Sequence, residues 1–473
     1  MLRPGIVFVQ DGVAFERALQ ALGLKETRIV CVDRPPTSLT SVSFNELAGA
    51  RPTSAVEDSI AKITGDTVAK LMLTPGSTGM PKVVINTQRM MCANVTMGQQ
   101  TIVRGPEESR DVMLNWMPWS HVMGGNAVFN NVLAYGSELY LDEGRPIPGM
   151  FDETLRNLRE VSPTVYASAP VGYAMLAPAL ESDDALRDNF FKRMDRLIYG
   201  GARLPDDLYD RMQALAIRST GQRIVFSSGW GATETTALST STYWDTERVG
   251  LIGLPPPGIE LKMAPAGGGK YELRLRGVTV TPGYYRQPEL TRAAFDEEGC
   301  YRIGDLGAFV DENDPSQGLL FSGRIAEDFK LLTGTFVHVG MLRVEAIAAA
   351  SPVIQDALVA GQDRPFVGIL AWPALEACRR MIGDMTATPE RVVAHPLIRD
   401  HVRDRLRAHN REFAGSTSMR VARAILMGEP ASIDSGELTD KGYINQRAGL
   451  ERRSAFVARI YAETPDEDVI VVD

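Results

Sequence analysis

The chain has 473 residues, too many for one hydrophobic core, so two or three domains are expected. Its 44% hydrophobic and 23% charged residues are those of an ordinary globular protein, and a net charge of −9 with no basic block argues against nucleic acid or an anionic membrane as main partner. No apolar run reaches the roughly 20 residues of a membrane helix and no signal-peptide pattern opens the chain, while Cys31, Cys92, Cys300, Cys378 and the scattered histidines show no zinc-ligand spacing; a reduced, cytoplasmic protein is expected.

Residues 14–22 read as a helix and 28–34 as a strand. An apolar run at 68–73 has strand character and empties into Thr74-Pro75-Gly76-Ser77-Thr78-Gly79-Met80-Pro81-Lys82. Glycines let backbone N–H groups approach an anion, hydroxyls add donors and the lysine adds a point charge, so the loop suits phosphate. A hairpin turn with a solvated lysine fits the same residues. The Walker pattern is absent, because Pro81 precedes Lys82 and Val83-Val84-Ile85 continue as a second strand.

Beyond a helix at 86–102, strands follow at 112–116 and 138–141, then an amphipathic helix at 151–161 with Phe151, Leu155, Leu158 and Val161 on one face. The alternation then becomes regular: strands at 164–167, 196–199 and 223–227, with helices at 171–180, 184–194 and 205–219. That order implies a parallel sheet with helices on both faces, which binds ligands beyond the carboxyl ends of its strands. Small residues stand there: Pro170, then Gly200-Gly201-Ala202, then Gly229-Trp230-Gly231.

From Val249 the texture is antiparallel β, a small barrel or a distorted sheet, with a strand at 271–275. After Gly323-Arg324 it is mixed, with helices at 344–350 and 396–413, and the acidic stretch 464–468 is expected to fray. The fold class is therefore α/β. A large N-terminal domain, 1–324, combines the parallel sheet with a β-barrel-like part, and a small mobile α+β lobe, 325–473, follows a linker at 323–326.

Taken singly, the polar clusters keep two readings each. Glu234 in Gly231-Ala232-Thr233-Glu234 suits Mg²⁺ beside a triphosphate, or the first turn of a helix capped by Thr233. Asp305 in Tyr301-Arg302-Ile303-Gly304-Asp305-Leu306 suits a ribose diol or a β-turn; Gly323-Arg324 is a hinge or a turn. Lys330 and Lys441 are otherwise solvated lysines, and His121 a satisfied loop histidine.

Together and in this order, Thr-x-Gly-Ser-Thr-Gly-x-Pro-Lys, Gly-Gly-Ala, Gly-x-Thr-Glu, Tyr-Arg-x-Gly-Asp-Leu and Gly-Arg resemble the adenylate-forming superfamily of acyl-CoA synthetases, luciferases and peptide-synthetase adenylation domains, from about residue 65 onward. Val84-Ile85-Asn86-Thr87-Gln88-Arg89-Met90, Arg324-Ile325-Ala326-Glu327-Asp328-Phe329-Lys330 and Leu438-Thr439-Asp440-Lys441-Gly442-Tyr443-Ile444-Asn445-Gln446-Arg447 are similar to the feruloyl-CoA synthase branch.

The resemblance implies that ATP and a carboxylic acid give acyl-AMP and pyrophosphate, and that CoA then takes the acyl group as a thioester. It implies that Thr74, Ser77, Thr78, Gly79 and Lys82 cradle the β- and γ-phosphates, that Glu234 holds Mg²⁺ and that Thr233 contacts the α-phosphate. Gly201, Ala202, Arg203 and Trp230 would enclose adenine, with Asp305 and Arg324 at the ribose. His121 would gate the acid from the thiol channel, and Gly200, Gly201 and Gly231 would form a flat slot for a planar acid. Trp119 and Tyr166 line that slot or belong to the core. Lys441, Lys330 and His121 are implied as the catalytic side chains, Lys441 arriving on a mobile loop at 436–442. The partners implied are the acid, ATP and CoA, with a homodimer as one option for assembly.

Three departures from the family pattern stand out. Met1 falls partway through the family's opening lobe, which predicts exposed apolar surface and poor solubility. Pro75 removes one backbone N–H from the phosphate loop, and Ala326 stands where a polar hinge residue is usual. The acid expected is a hydroxycinnamate such as ferulate; the alternatives are another aromatic or medium-chain acid, or a truncated nucleotide-binding protein without ligase activity.

Overall fold

The computed structural model describes residues 2–23, 26–74, 81–101, 110–147, 149–201, 204–267, 269–325, 327–432, 435–438 and 444–473. The chain forms two compact units, residues 1–67 and 68–473. In the first, β1 (Ile6–Val9), β2 (Arg28–Cys31) and β3 (Val42–Ser43) make a parallel three-stranded sheet. Its small core is Leu19, Ile29 and Cys31.

The second unit opens with a hairpin, β4 (Val68–Thr74) and β5 (Lys82–Thr87), whose last pair is Thr74 with Lys82. A six-stranded sheet follows, built from β6 (Val112–Asn115), β7 (Glu138–Leu141), β8 (Val165–Ser168), β9 (Arg196–Gly200), β10 (Val225–Trp230) and β11 (Thr240–Ser241). Its order is β11-β10-β9-β8-β6-β7, all neighbours parallel except β10 and β11. Side chains alternate across it, as a two-residue period requires. Tyr166, Leu197 and Phe226 pack under helices Phe151–Glu160, Pro170–Ser182, Asp184–Phe191 and Asp206–Thr220. Met113, Val165 and Ile198 meet Val128 and Val132 on the other face, from a π-helix at Met123–Phe129 and the helix Asn130–Tyr135 that continues it. The expected sheet covered on both faces is present, and Tyr166, 1% exposed, belongs to its core.

Next comes an antiparallel sheet of β12 (Leu251–Gly253), β13 (Ile259–Gly267), β14 (Lys270–Gly277), β15 (Tyr301–Phe309) and β16 (Leu319–Arg324), in the order β12-β16-β15-β14-β13. Register shifts interrupt β13–β14, β14–β15 and β15–β16, so of the two expected forms it is a distorted sheet. A two-stranded ribbon, β17 (Phe329–Lys330) with β18 (Phe336–Val337), leads to a four-stranded sheet of β19 (Ile354–Ala360), β20 (Gly368–Pro373), β21 (Arg423–Leu426) and β22 (Ile470–Val471). Helices Val339–Ala349 and Pro396–Glu412 cover one face and Gln446–Arg452 and Ser454–Ile460 the other. The separation expected at 324/325 falls inside the second unit. There the backbone of Gly323, at φ +111, lies so close to the helix beginning at Val339 that a Cβ on Gly340 would come within 2.7 Å of the Gly323 Cα.

Among the described residues, no helix is long and apolar enough to cross a membrane.

Candidate functional site

The parallel register puts the ends of β6, β9 and β10 on one side of the sheet, and the polar residues singled out in the sequence follow those ends. After β10 the chain makes a short 3₁₀ turn, Thr233–Thr235, closed by Ala232 N–H donating to Thr235 Oγ1 at 2.9 Å. Only glycine fits at 231, because a Cβ there would lie 2.0 Å from the Ala237 carbonyl oxygen. Backbone packing accounts for that glycine before any ligand does.

Glu234 is buried, and its Oε1 accepts a hydrogen bond from the Tyr284 hydroxyl at 3.0 Å. Tyr284 arrives on a stretch that pairs with β5: Tyr285 N–H donates to the Val83 carbonyl at 2.8 Å and Ile85 N–H to that of Gly283 at 3.3 Å. Thr281 N–H ties the same stretch to the Glu234 carbonyl at 2.7 Å. Lys82 Nζ lies 5.2 Å from the centre of the Tyr284 ring, a cation–π contact. One tyrosine therefore joins Lys82 to Glu234. Its hydroxyl is 3.3 Å from that of Tyr301, and burial followed by the Glu234 charge pushes both phenols well above their ordinary range, so both stay protonated. Asn86, fully buried on β5, donates through Nδ2 to the Thr233 carbonyl at 3.4 Å.

A second cluster lies on β10, β15 and β16. Asp305 stands opposite Arg324 in the ladder, with Arg324 Nε 3.3 Å from Asp305 Oδ1, while Trp230 Nε1 donates to Oδ2 at 2.8 Å. Burial pushes the Asp305 carboxyl up, against the pull of the Arg324 guanidinium and the indole N–H. Trp230 itself packs among Met97, Ile252 and Leu273, so its visible work is to hold Asp305. The Arg324 side chain is 63% exposed and open to a ligand.

On the third segment, His121 Nδ1 accepts from Met123 N–H at 3.1 Å and the His121 carbonyl from Gly125 N–H at 2.8 Å, which fixes the entry to the π-helix. Trp119, 47% exposed, stacks on Phe129 at 4.2 Å. At Gly200 a Cβ would meet the Met123 methyl at 3.5 Å, so β9 and the π-helix are neighbours.

The structure thus gathers Lys82, Thr233 and Glu234 with Tyr284, and Asp305 with Arg324 and Trp230. Thr74 Oγ1, at the mouth of the phosphate loop, is buried without a hydrogen-bond partner among the described residues. Lys330 is exposed on β17, and no described hydrogen bond or ion pair links its side chain to these clusters. Ser77, Thr78, Gly79, Ala202, Arg203 and Lys441, with Pro75 and Ala326, lie outside the described residues. Leu438 and Ile444 form an isolated bridge, and Asn445 N–H donates to the Glu437 carbonyl at 2.8 Å. Tyr284, Tyr301 and Asn86 were not singled out as site residues. For Tyr284 the signal was the aromatic pair after Thr281-Pro282-Gly283, which reads as a plain turn.

No group of three or more His, Cys, Asp or Glu able to hold a metal occurs among the described residues. Mg²⁺ commonly takes only one or two carboxylates, together with substrate phosphates and waters, so a lone buried Glu234 fits that ion.

Residues 3–285 match the model of the family described as AMP-binding enzyme. The chain belongs to the AMP-binding enzyme family. Among curated relatives of this AMP-binding enzyme, 4-coumarate–CoA ligase 1 of Oryza sativa subsp. japonica is 28% identical over 67% of the chain and 56% of its own length. A long-chain-fatty-acid–CoA ligase of Bacillus subtilis (strain 168) is 27% identical over 62% and 50%. The chain spans about half or less, 35% to 56%, of the curated relatives it matches. Solved structures share the fold. An anthranilate CoA ligase in complex with anthranoyl-AMP has TM-score 0.72 at 18% identity, over 96% of this chain and 79% of its own. ATP-bound MatB from Rhodopseudomonas palustris has TM-score 0.69 at 20% identity, over 96% and 80%.

Proposed function

We propose that this AMP-binding enzyme is an ATP-dependent acid–CoA ligase, which forms an acyl-AMP with release of pyrophosphate and then an acyl-CoA thioester, and that its acid is a hydroxycinnamate such as ferulate. The observation that carries the reading is the Lys82–Tyr284–Glu234 cluster beyond the carboxyl end of the parallel sheet. A carboxylate attacks the α-phosphorus itself, so the chain needs no nucleophile of its own; it has to hold two anions together and neutralise them. Lys82 would take the β- and γ-phosphates with Thr74, Ser77, Thr78 and Gly79, and Thr233 the α-phosphate. Mg²⁺ bound at Glu234 would supply charge neutralisation there. Gly201, Ala202, Arg203 and Trp230 would form the adenine site, Asp305 would take the ribose hydroxyls and Arg324 would support them. Gly200, Gly201 and Gly231 would line the acid slot and His121 its gate, while Lys441 and Lys330 would serve from a small lobe, 325–473, that turns about the linker. A cytoplasmic location and the homodimer option belong to the same proposal.

The names of the relatives support both an aromatic acid and the fatty-acid alternative, so the test is a panel. Purified chain, ATP and Mg²⁺ should release pyrophosphate with ferulate, and CoA should convert the adenylate to thioester. Equal turnover of medium-chain fatty acids removes the hydroxycinnamate assignment. Protection of the fold by ATP in a thermal melt, without acyl-AMP from any acid, replaces the ligase with a nucleotide-binding protein.

A further inference from the structure

In the β4–β5 ladder Lys70 stands opposite Asn86, so the two side chains share a face, and Asn126 reaches both from the π-helix. Lys70 Nζ donates to Asn126 Oδ1 at 2.8 Å, Asn126 Nδ2 donates to Asn86 Oδ1 at 2.9 Å, and Asn86 Nδ2 donates to the Thr233 carbonyl at 3.4 Å. Both asparagines are fully buried. Close backbone packing keeps Asn126 in place: a Cβ on Gly124 would lie 2.3 Å from the Pro118 carbonyl oxygen, and one on Gly125 2.3 Å from that of Trp119. Both ends of this chain of bonds fix its direction, because an ammonium can only donate and a carbonyl can only accept. Lys70 therefore turns the Asn126 oxygen toward itself, which leaves the Asn126 nitrogen for Asn86 and the Asn86 nitrogen for Thr233. Without a donor at its head the amide pair could run either way, and the reverse direction sets the Asn86 oxygen against the Thr233 oxygen.

The Thr233 oxygen belongs to the peptide plane that joins Thr233 to Glu234, and it also accepts from Thr236 N–H at 3.3 Å, which closes the turn. Holding that oxygen sets the tilt of the plane from which both side chains spring. Thr281 N–H holds the next carbonyl and Tyr284 the Glu234 carboxylate, so the chain from Lys70 adds a third restraint. A buried polar line is a costly way to fill a core that apolar side chains of the same shape would fill as well. We propose that Lys70 is a positioning residue of the nucleotide site, acting through Asn126 and Asn86 to hold the Thr233–Glu234 turn in the setting that Mg²⁺-bound ATP requires. Partners that orient a metal ligand are worth about 10–100-fold in metal affinity. The inference rests on the acid–CoA ligase reading, which assigns Mg²⁺ to Glu234.

The test is calorimetry of ATP binding to the purified chain, without acid, in Mg²⁺ and in EDTA; the gain in affinity from Mg²⁺ reads the Glu234 site. Lys70→Met and Asn86→Leu should each lower that gain about tenfold and leave binding in EDTA within about threefold of the parent's. The two together should lose no more than either alone, because both break the same chain of bonds. Asn126→Asp is the sharpest probe. The new carboxylate still accepts from Lys70, so the melting temperature should stay within about 5 °C of the parent's, but it offers Asn86 no N–H, turns that amide round and should cost the same tenfold. Equal losses in Mg²⁺ and EDTA, additive losses, an unchanged gain, or variants that do not fold make the network a prop of the fold and overturn the inference, as does a parent that gains nothing from Mg²⁺. ATP binding with these dependences but no acyl-AMP from any acid rejects the ligase reading alone. Acyl-AMP formed with an unmoved gain rejects this inference alone, and no ATP binding rejects both.

Discussion

Tyr284 holds Glu234 with its hydroxyl and Lys82 with its ring, so the two contacts can be separated. Tyr284→Phe keeps the ring and strands a buried carboxylate oxygen, a loss of about 1–3 kcal/mol. Acid-dependent pyrophosphate release should fall on the order of tenfold and need more Mg²⁺ to saturate; a rate and Mg²⁺ dependence equal to the parent's would show that the hydroxyl is idle. Lys441→Ala tests which half of the proposed chemistry that lysine serves. It should abolish adenylation while leaving thioester formation from supplied acyl-AMP largely intact, and an equal loss in both half-reactions removes Lys441 from its assigned step. Residue types at motif spacings made Lys82, Glu234 and Asp305 legible in the sequence. Tyr284 and Asn86 were not, because their meaning lies in partners far along the chain, Glu234 and Thr233, that only the tertiary fold brings near.

At the scale of elements, periodicity served best where nothing interrupts it: 138–141 was read to the residue, and 396–413 against the observed Pro396–Glu412. It failed where glycine contradicts the pattern. Met123–Phe129 holds Gly124 and Gly125, and the helix Val339–Ala349 carries Gly340 in its first turn, so the expected start at 344 is late. The chain at Glu437 is anchored by a charge that no local pattern marks. Glu437 is fully buried, and Arg453 Nε lies 2.6 Å from its Oε1, with Glu429 2.6 Å from the same guanidinium. Arg453→Met should cost about 3 kcal/mol, since it leaves the buried carboxylate only the longer Arg452 contact, at 3.4 Å, and the Ser432 N–H at 3.1 Å. Replacing Glu437 by Met as well should recover part of the loss, and a double variant no more stable in urea than the single one would contradict this. Although desolvation raises the Glu437 carboxyl, Arg453 and the Ser432 N–H outweigh it and hold the pKa below its usual value. A depressed acid contributes stability above its unfolded pKa, about 4.3, and loses it as pH falls through the lower folded value. The gap in stability between the parent and the double variant should therefore narrow below pH 4.

For the molecule as a whole, the first unit exposes Ile6, Phe8, Phe15, Leu22, Phe44, Leu47 and Ile60 around a core of only a few buried side chains. Such a surface favours association. Light scattering should show a mean particle mass that rises with concentration and falls back in Phe8→Ser with Ile60→Ser; a monodisperse monomer with one cooperative melt at every concentration would contradict this. The backbone contact of Gly323 with Gly340 bears on the swing of residues 325–473 that the ligase reading requires. Two residues without side chains meet there like the smooth faces of a bearing. Nothing interlocks, so sliding them apart forfeits little dispersion and frees no trapped rotamer. Among the described residues, restraints across it are slight, such as the Ile325 N–H bond to the Gly304 carbonyl at 2.9 Å and the Ser351 Oγ bond to Asp207 Oδ2 at 3.3 Å. A joint of that kind holds its position only weakly, so on the ligase reading whatever occupies the site, nucleotide or thiol, would set the angle.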